Sequence, residues 1–504
     1  MHCMNISIQK GPLLETHADL LVLGVFESEL ENPALKNVGE LTHGRLQKII
    51  KTKQFTGTAG QLLLIPAPEV LQADYVLLAG LGKRGAFTSD VTREVAGASV
   101  GQAQQLGLRS IALELFGEGL EPFDAKAIAQ GMAEALLLAE YSFSIYREEK
   151  KKKTAIDDVT IIARDGRIVR LGRTSIVRAQ LLVEGTVIAR DLVNTPAHDM
   201  TPTVLAETAR QIAKLGGAGV HVKVLDKEQC EKKGMNAFLA VARGSVEPPQ
   251  FIHLSYMPKK ATKKRLVVVG KGITFDSGGL SLKPSDHMET MKCDMAGAAA
   301  VLGLFAILGK WKPQIEVHGI IAATENMPSG HAIRPGDIVR ASNKKTIEIL
   351  NTDAEGRLTL ADALVYAEKL EPTTLVDLAT LTGACVVALG EEIAGVMSNR
   401  PKLANQILDA SSRAGEKIWE LPLEPRYKNL IESDIADLKN VTKSRYGGTL
   451  TAGLFLEQFV SDETPWAHID IAGPAFAERP LASWIGKGGT GFGVRTLAEL
   501  ISLL

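Results

Sequence analysis

Short apolar runs alternate with longer stretches of helical pattern over residues 1–165 of the chain. Four of these runs have the length and apolar content of β-strands, at residues 20–26, 75–79, 110–116 and 159–163. An Ala- and Leu-rich stretch at 125–140 predicts a helix between the last two. Strands that alternate with helices indicate a mainly parallel sheet with helices on both faces.

The pattern resumes after residue 194. Residues 266–269 (LVVV) are a continuous apolar run, as expected for a parallel strand that is buried on both faces, and residues 315–323 and 374–379 look similar. The apolar run at 296–309 is too short to span a bilayer and predicts a buried helix. We therefore predict two α/β domains, at 1–165 and 193–504, the second with a mixed, mainly parallel central sheet. A helix at about 174–191 would lie in the linking segment, 166–192.

Composition narrows the class of protein. The 504 residues include 57 basic and 58 acidic side chains, for a formal net charge of −1, which argues against a globally basic nucleic-acid-binding protein. The charged run at 147–153 fits a solvated loop better than a binding patch. The four cysteines have neither metal-ligand nor disulfide-framework spacing, which favours a reducing compartment. No signal-peptide pattern is visible, so we expect a cytoplasmic protein without a membrane segment.

Charged residues gather in one segment that begins at the predicted strand 266–269. Lys271 and Asp276 follow this strand, Lys283 comes seven residues later in a Gly-rich loop, and Asp294 stands at the start of the buried helix. Open α/β sheets place their functional sites at the carboxyl ends of such strands. The alternative for Asp294 is that it is simply the N-cap of the helix.

A second charged segment, ILNTDAEGRLTLADAL at 349–364, holds Asp353, Glu355 and Arg357. Their alternate spacing would point all three to one side of an extended backbone. If the carboxylates of both segments converged, they would repel one another, and divalent cations would relieve that repulsion. Oxygen-rich ligand sets suit Mg, Mn or Zn, and carboxylates can bridge two ions. Either segment alone also fits a loop with helix caps and surface ion pairs.

Other catalytic motifs are absent or weak. No H-E-x-x-H occurs, which excludes a zincin-type site, and no G-x-S-x-G marks a serine hydrolase. His287 lies near the charged segment but fits a loop histidine better than a ligand. Residues 80–85 read G-x-G-x-x-G, but no helix pattern opens at once and no acidic residue follows about 20 positions on. We interpret this run as a turn.

Three segments resemble signatures of the leucyl aminopeptidase family of cytosolic dimetal peptidases. They are GKGITFDSGGLSLKP at 270–284, MKCDMAGAA at 291–299 and NTDAEGRL at 351–358, in the family's order and spacing. The chain is similar to the bacterial aminopeptidase A type, strongly over 190–504 and loosely over 1–165. The resemblance implies an N-terminal macro-like α/β domain, a C-terminal α/β catalytic domain, and a homohexamer that acts on peptides.

The same resemblance implies roles for individual residues. Five residues would hold two divalent metal ions, Mn or Zn: Lys271, Asp276, Asp294, Asp353 and Glu355. Lys283 and Arg357 would be catalytic without binding metal. The residues implied in substrate binding are Met291, Asn351, Thr380, Leu381 and Gly383. His198, in NTPAHDMTP at 194–202, is a small departure at the domain junction and does not put catalysis in doubt.

Physical chemistry is consistent with these roles. Lys271 can bind a metal only as the neutral amine, and burial and adjacent cations both lower a lysine pKa. A water shared by two cations becomes hydroxide near neutral pH and can attack a peptide carbonyl. Lys283 would stabilise the oxyanion that results. Arg357 cannot act as a base, and the resemblance implies that it holds a bicarbonate that relays protons. An apolar pocket would favour Leu or Met as the first residue.

Two other functions stay open at this point. Some bacterial members of the family also bind DNA, although a net charge near zero gives this role no support. The glycine run at 80–85 suggests the alternative that the N-terminal domain binds a nucleotide such as ADP-ribose or NAD. The simpler interpretation is that this domain builds the oligomer and shields the catalytic cavity.

Overall fold

The computed structural model describes residues 4–27, 33–120, 123–148, 154–444 and 446–504. Cys3 and residues 149–153 of the predicted solvated loop lie outside the described residues. The chain divides into two compact units, Met1–Val183 with Pro480–Gly486, and Glu184–Arg479 with Lys487–Leu504. The domain limits given above, 1–165, 166–192 and 193–504, stay a prediction.

The first unit is built on a six-stranded sheet. Its strands are β1 (Asn5–Lys10), β2 (Leu20–Phe26), β3 (Leu62–Pro66), β4 (Tyr75–Gly82), β5 (Ser110–Glu114) and β6 (Asp158–Ala163). Its helices are α1 (Pro33–Leu41), α2 (Arg45–Thr52), α3 (Ser89–Leu106) and α4 (Ala125–Ala139). The strand order is β1-β6-β5-β2-β4-β3, and all neighbours are parallel except β3 and β4. The predicted mainly parallel sheet is confirmed, and β2 is buried along its whole length, as a strand covered on both faces must be.

The glycine run at 80–85 begins inside a strand. β4 continues through Gly82, and a short 3-10 turn at Arg84–Ala86 precedes α3. The interpretation as a turn therefore holds only for the second half of the run. Gly80 is required by a close backbone approach, since a Cβ there would lie 2.0 Å from the carbonyl oxygen of Thr58. Packing accounts for this glycine without a bound nucleotide.

The second unit contains the remaining elements. Its helices are α5 (Gly166–Asn194, which begins in the first unit and includes the helix predicted at 174–191), α6 (Pro202–Leu215), α7 (Lys227–Lys232), α8 (Asn236–Ala242), α9 (Ser285–Met288), α10 (Ala296–Trp311), α11 (Gly356–Glu368), α12 (Gly383–Leu389), α13 (Pro401–Ala414), α14 (Gly448–Glu457) and α15 (Val494–Leu503). Its strands are β7 (Val220–Leu225), β8 (Gln250–Tyr256), β9 (Arg265–Asp276), β10 (Glu316–Asn326), β11 (Ile338–Arg340), β12 (Thr346–Glu348), β13 (Thr374–Ala379), β14 (Ala394–Ser398), β15 (Ile418–Glu420), β16 (Leu438–Lys439), β17 (Trp466–Asp470), β18 (Phe476–Ala477) and β19 (Gly488–Gly489).

Eight of these strands form the central sheet, in the order β15-β14-β17-β13-β9-β10-β8-β7. The middle four strands, β17, β13, β9 and β10, are mutually parallel, whereas β14 and β8 run antiparallel to their inner neighbours. The predicted mixed, mainly parallel sheet is therefore confirmed. β9 is longer than the apolar run that predicted it, so Lys271 and Asp276 lie within its carboxyl half rather than after it.

Helix α10 packs directly on the backbone of the sheet. A Cβ on Gly270 of β9 would lie 2.5 Å from the carbonyl oxygen of Gly297, and one on Gly297 would lie 2.1 Å from that of Leu378. The helical stretch Ser285–Trp311 contains a window that is long and apolar enough to cross a membrane, but 89% of this window is buried inside the protein. It is the core helix that the apolar run predicted.

Candidate metal centre

The two charged segments meet at the carboxyl end of β9. Carboxylate oxygens of Asp276, Asp353 and Glu355 lie within 4.8 Å of one another. Lys271 Nζ lies 2.7 Å from Asp294 Oδ1 and 2.9 Å from Glu355 Oε1. The structure thus brings together side chains from two segments that are far apart in the sequence, since 77 positions separate Asp276 from Asp353. Neither segment alone could establish this convergence.

Lys283 connects the other two carboxylates. Its Nζ lies 2.9 Å from Asp276 Oδ2 and 2.5 Å from Asp353 Oδ1. Each of the two lysines therefore lies between a pair of acids, and six charged groups share one site. Asp276 is 2% exposed and Glu355 is 1% exposed, so water screens little of their mutual repulsion.

The backbone around the second segment differs from the expectation. Glu355 has φ −76° and ψ −35°, and α11 starts at the next residue. The backbone is therefore not extended at 353–357, which was the condition under which alternate spacing would point the three side chains to one side. Asp353 reaches the site from the turn before the helix, Glu355 from its N-cap position and Arg357 from its first turn.

Burial and charge shift the pKa values of these groups in a consistent way. Burial raises the pKa of Asp294 and of Glu355, and neighbouring carboxylates raise both further. Burial by itself would lower the pKa of Lys271, but Asp294, Glu355 and Asp276 outweigh it and raise that pKa. The same balance raises the pKa of Lys283. With no cation added, the carboxylates hold both lysines as ammonium ions.

Two carboxylate oxygens show that the donor set fits divalent metals. Asp294 Oδ2 and Glu355 Oε2 are buried and have no hydrogen-bond partner within the part of the chain that the structure describes. A buried acceptor without a partner is costly, and a cation would satisfy it. Four carboxylates and one amine match the oxygen- and nitrogen-rich ligand sets of Mn and Zn.

Asp294 does not act as a helix cap. Met295 holds the N-cap position of α10. The Asp294 carboxylate instead accepts hydrogen bonds from Lys271 Nζ at 2.7 Å and from the Thr380 hydroxyl at 2.7 Å. The alternative interpretation as a simple N-cap is therefore wrong.

Asn326 supports Asp276 and was not identified from the sequence. This buried residue ends β10, and its Nδ2 donates to Asp276 Oδ1 at 2.8 Å and to the carbonyl oxygen of Thr352 at 3.0 Å. Its own carbonyl accepts from the backbone N–H and the hydroxyl of Ser277. One side chain thus ties the end of β9 to the loop before Asp353.

Asn440 does the same for the second segment. Its Oδ1 accepts from the backbone N–H of Leu350, its Nδ2 donates to the carbonyl of Asn351, and its carbonyl accepts from Arg357. Arg357 is buried, and burial lowers its pKa to about 10, although Glu355 and Asp470 counteract this effect. Nothing in the sequence around Asn440 distinguishes it from other polar positions, because it lies far from the charged segments.

The segment after β13 carries three of the five residues implied in substrate binding, Thr380, Leu381 and Gly383. The Thr380 carbonyl accepts from Lys271 Nζ at 3.0 Å, which places this residue at the charged cluster. Leu381 donates its backbone N–H to Asp470 Oδ1, and the Thr382 hydroxyl donates to Asp470 Oδ2. Gly383 begins α12, and no atom lies within 4 Å of where its Cβ would be.

The other candidate positions lie around this cluster. Met291 is half-buried in the 3-10 turn Met291–Met295, and Asn351 Oδ1 accepts the backbone N–H of Asp353. His198 and His287 are exposed. The described structure gives neither histidine a contact with the charged cluster, and neither enters the site assembled here.

Comparison with known proteins decides the class of this site. Residues 187–498 match the catalytic-domain model of the cytosol aminopeptidase family, and residues 22–150 match the family's N-terminal domain model. The chain belongs to the cytosol aminopeptidase family. It is therefore a metal-dependent aminopeptidase, a hydrolase, and the family requires two metal ions.

Relatives match along their whole length. The chain is 43% identical over 501 residues to a probable cytosol aminopeptidase of Persephonella marina, covering 99% of each chain. It is 46% identical over 493 residues to that of Thermosynechococcus vestitus, covering 96% of this chain and 97% of the relative.

Solved structures show the same fold. A tomato leucine aminopeptidase variant superposes with a TM-score of 0.91 at 37% identity, covering 100% of this chain and 97% of that one. The bottromycin maturation enzyme BotP in complex with Mn superposes with a TM-score of 0.84 at 35% identity, covering 96% and 99%.

Proposed function

We propose that this aminopeptidase releases N-terminal residues, preferably apolar ones of the Leu or Met type, at a site for two divalent metal ions. The observation that carries the proposal is the buried cluster of four carboxylates and two lysines, with acceptor oxygens on Asp294 and Glu355 that lack partners in the described chain. The Mn complex of the related BotP favours Mn as one suitable ion.

The ligands would divide between two metal ions. Lys271, Asp276, Asp294 and Glu355 would hold one of them, and Asp276, Asp353 and Glu355 the other. When bound, two cations would lower the pKa of a water between them and polarise the scissile carbonyl. Lys271 would serve as a ligand only after it loses the proton that Asp294 and Glu355 stabilise in the metal-free protein.

Lys283 and Arg357 would act on the substrate rather than as ligands. Lys283 Nζ is held at the edge of the cluster by Asp276 and Asp353, where it can donate to an oxyanion that forms on the carbonyl. Arg357 keeps its Nε without a partner among the described residues, while one terminal nitrogen is bound to the Asn440 carbonyl. That free donor suits a small anion such as bicarbonate, which would relay protons to the leaving amine.

The loop after β13 would form the pocket for the first residue. Thr380, Leu381 and Gly383 lie within four positions there, and the open space at Gly383 leaves room for a side chain. Met291 would add an apolar wall, and Asn351 would border the peptide. A homohexamer and a cytoplasmic location are further expectations from the family. A DNA-binding role is not proposed, because the net charge of −1 gives it no support.

Release of p-nitroaniline from leucine p-nitroanilide tests the proposal. Protein stripped with a chelator should be inactive and should regain activity with Mn²⁺ or Zn²⁺. Asp353→Ala should abolish activity without unfolding the protein, whereas Asp434→Ala, an exposed acid in the same unit, should not. Folded protein without activity under any metal, or an active Asp353→Ala variant, would overturn the assignment.

A further inference from the structure

A cavity of about 680 Å³ lies within the first unit, apart from the metal centre. Every parallel strand of the sheet lines it at its carboxyl end, through Lys10 of β1, Phe26 of β2, Leu81 of β4, Glu114 of β5 and Ile162 of β6. Its volume is in the range of small-molecule sites, about 300–1,000 Å³. Its position is the edge at which open parallel sheets bind ligands.

The chain order places a switch point at this cavity. From β2 the chain passes through α1, α2 and the edge strand β3 to β4 on one side of β2, and through α3 it then crosses to β5 on the other side. Gly24 of β2 lies between them, and a Cβ there would be 2.7 Å from Leu81 and 2.8 Å from Phe116. Buried apolar side chains therefore close tightly over the glycine and form an apolar floor.

The charged groups around this floor are balanced. Three cations, Lys10, Arg84 and Arg164, and three carboxylates, Glu15, Glu114 and Glu118, line the cavity. A site for phosphate would be expected to carry an excess of cations. An equal number of both signs, above an apolar floor, suits a ligand that carries one charge of each sign and an apolar group.

Particular residues can take each part of such a ligand. Glu118 is already engaged, since it accepts the backbone N–H groups of Arg164 and Asp165. Glu114 is half-buried, and burial raises its pKa, although Arg164 and the backbone N–H of Gly24 counteract that effect. A cationic partner would stabilise the ionised form of Glu114. The guanidinium of Arg84 lies 4.8 Å from the ring centroid of Phe26, at the border between the floor and the charged groups.

We propose that this cavity binds a free amino acid or a short peptide with an apolar side chain. Glu114 would bind the ammonium group, Arg84 the carboxylate, and Phe26, Leu81 and Phe116 the side chain. Free apolar amino acids are the products of the proposed function, so the cavity would sense product; this regulatory meaning rests on the proposed function. Binding itself does not depend on it.

Isothermal titration calorimetry with metal-stripped full-length protein tests the binding. l-Leucine and Leu-Leu should bind at one molecule per chain, whereas N-acetylleucine, which lacks the ammonium, and leucinamide, which lacks the carboxylate, should bind much more weakly. The difference between leucine and Leu-Leu tells which length fits. Glu114→Gln should weaken leucine binding by about tenfold or more, because a charged hydrogen bond is lost.

Matched variants show at which site leucine binds. Glu69→Gln, on the exposed surface of the same unit, should leave binding unchanged. Arg84→Met should weaken leucine but change leucinamide little, which keeps the test valid if Glu114→Gln fails to fold. Asp276→Asn should leave leucine binding unchanged. Loss of binding in Asp276→Asn but not in Glu114→Gln, binding of AMP or inorganic phosphate instead of leucine, or no heat with any probe would overturn the proposal, whatever the outcome of the activity assay.

Discussion

Replacing Asn326 by leucine should weaken metal binding without touching any proposed ligand. The substitution keeps the approximate size of the side chain and removes both of its N–H donors. Asp276 then loses the hydrogen bond of 2.8 Å to its Oδ1, and the Thr352 carbonyl loses one of 3.0 Å. Both acceptors are buried in the described structure, so solvent cannot easily replace the donors.

The size of the effect follows from these two bonds. A hydrogen bond to a charged group contributes about 1.5–3 kcal/mol, and one to a carbonyl about 1 kcal/mol. Part of this loss falls on the free energy of unfolding and part on metal affinity, because Asp276 becomes free to turn away from its position. Outer partners of metal ligands typically change affinity by about 10- to 100-fold, so we expect Asn326→Leu to raise the dissociation constant of Mn²⁺ by that factor.

Competition with a chromophoric chelator measures this constant directly, and leucine p-nitroanilide hydrolysis at saturating Mn²⁺ measures what activity remains. The exposed turn residue Asn343 provides the matched control, Asn343→Leu, which should bind Mn²⁺ like the unchanged protein. If Asn326→Leu is folded and binds Mn²⁺ with unchanged affinity, Asn326 does not position Asp276 and the reasoning is wrong.

Three further outcomes follow from the structure. Asp470→Ala should lower kcat/KM for leucine p-nitroanilide by about 10- to 100-fold, because the loop that holds Lys271 loses its anchor. Gly297→Ala should lower the free energy of unfolding by about 3 kcal/mol in denaturant titrations, since its Cβ would lie 2.1 Å from a carbonyl oxygen. Burial, His318 and Lys223 lower the pKa of His253 to about 4, so stability present above pH 6.5 should be lost as pH falls towards 4.

Each of these has its own check. The control for Gly297→Ala is Gly101→Ala, in a helix where nothing lies within 4 Å of the new Cβ. Its free energy of unfolding should be unchanged or slightly higher. Between pH 6.5 and 4 the His253 side chain binds a proton in the unfolded chain but not in the folded one. This difference lowers the free energy of unfolding by up to about 3 kcal/mol. Thermal melts of His253→Gln should therefore show a smaller loss over that range. An equal loss would refute the assignment, as would an Asp470→Ala variant with unchanged kcat/KM.

The sequence predicted those parts of the fold that depend on local pattern. The strand at 20–26 and that at 374–379 have the predicted limits, because each is a mainly apolar run bounded by polar residues. The carboxyl half of β9 was missed because Lys271 and Asp276 look like loop residues in an apolar count. Their burial results from the packing of β9 against strand β10 and helix α10, which the sequence alone does not reveal.

The site shows the same division. The charged residues were identified because their types and spacing are unusual for loops. The helical backbone at Glu355 was not predicted, because alternate spacing also fits the start of a helix. Asn326 and Asn440 act through partners about 50 and 90 positions away. Such contacts leave no periodic signal, and single buried amides resemble any other polar position in the sequence.

The two lysines that lie between pairs of acids have a consequence for how the enzyme is assembled. Because Lys271 and Lys283 offset part of the charge of the four acids, we expect the chain to fold before it binds metal, unlike small domains that fold only around zinc. Synthesis and metallation can therefore be separate events. In a cell short of one metal, folded protein without metal would accumulate and would bind a suitable divalent ion once it became available.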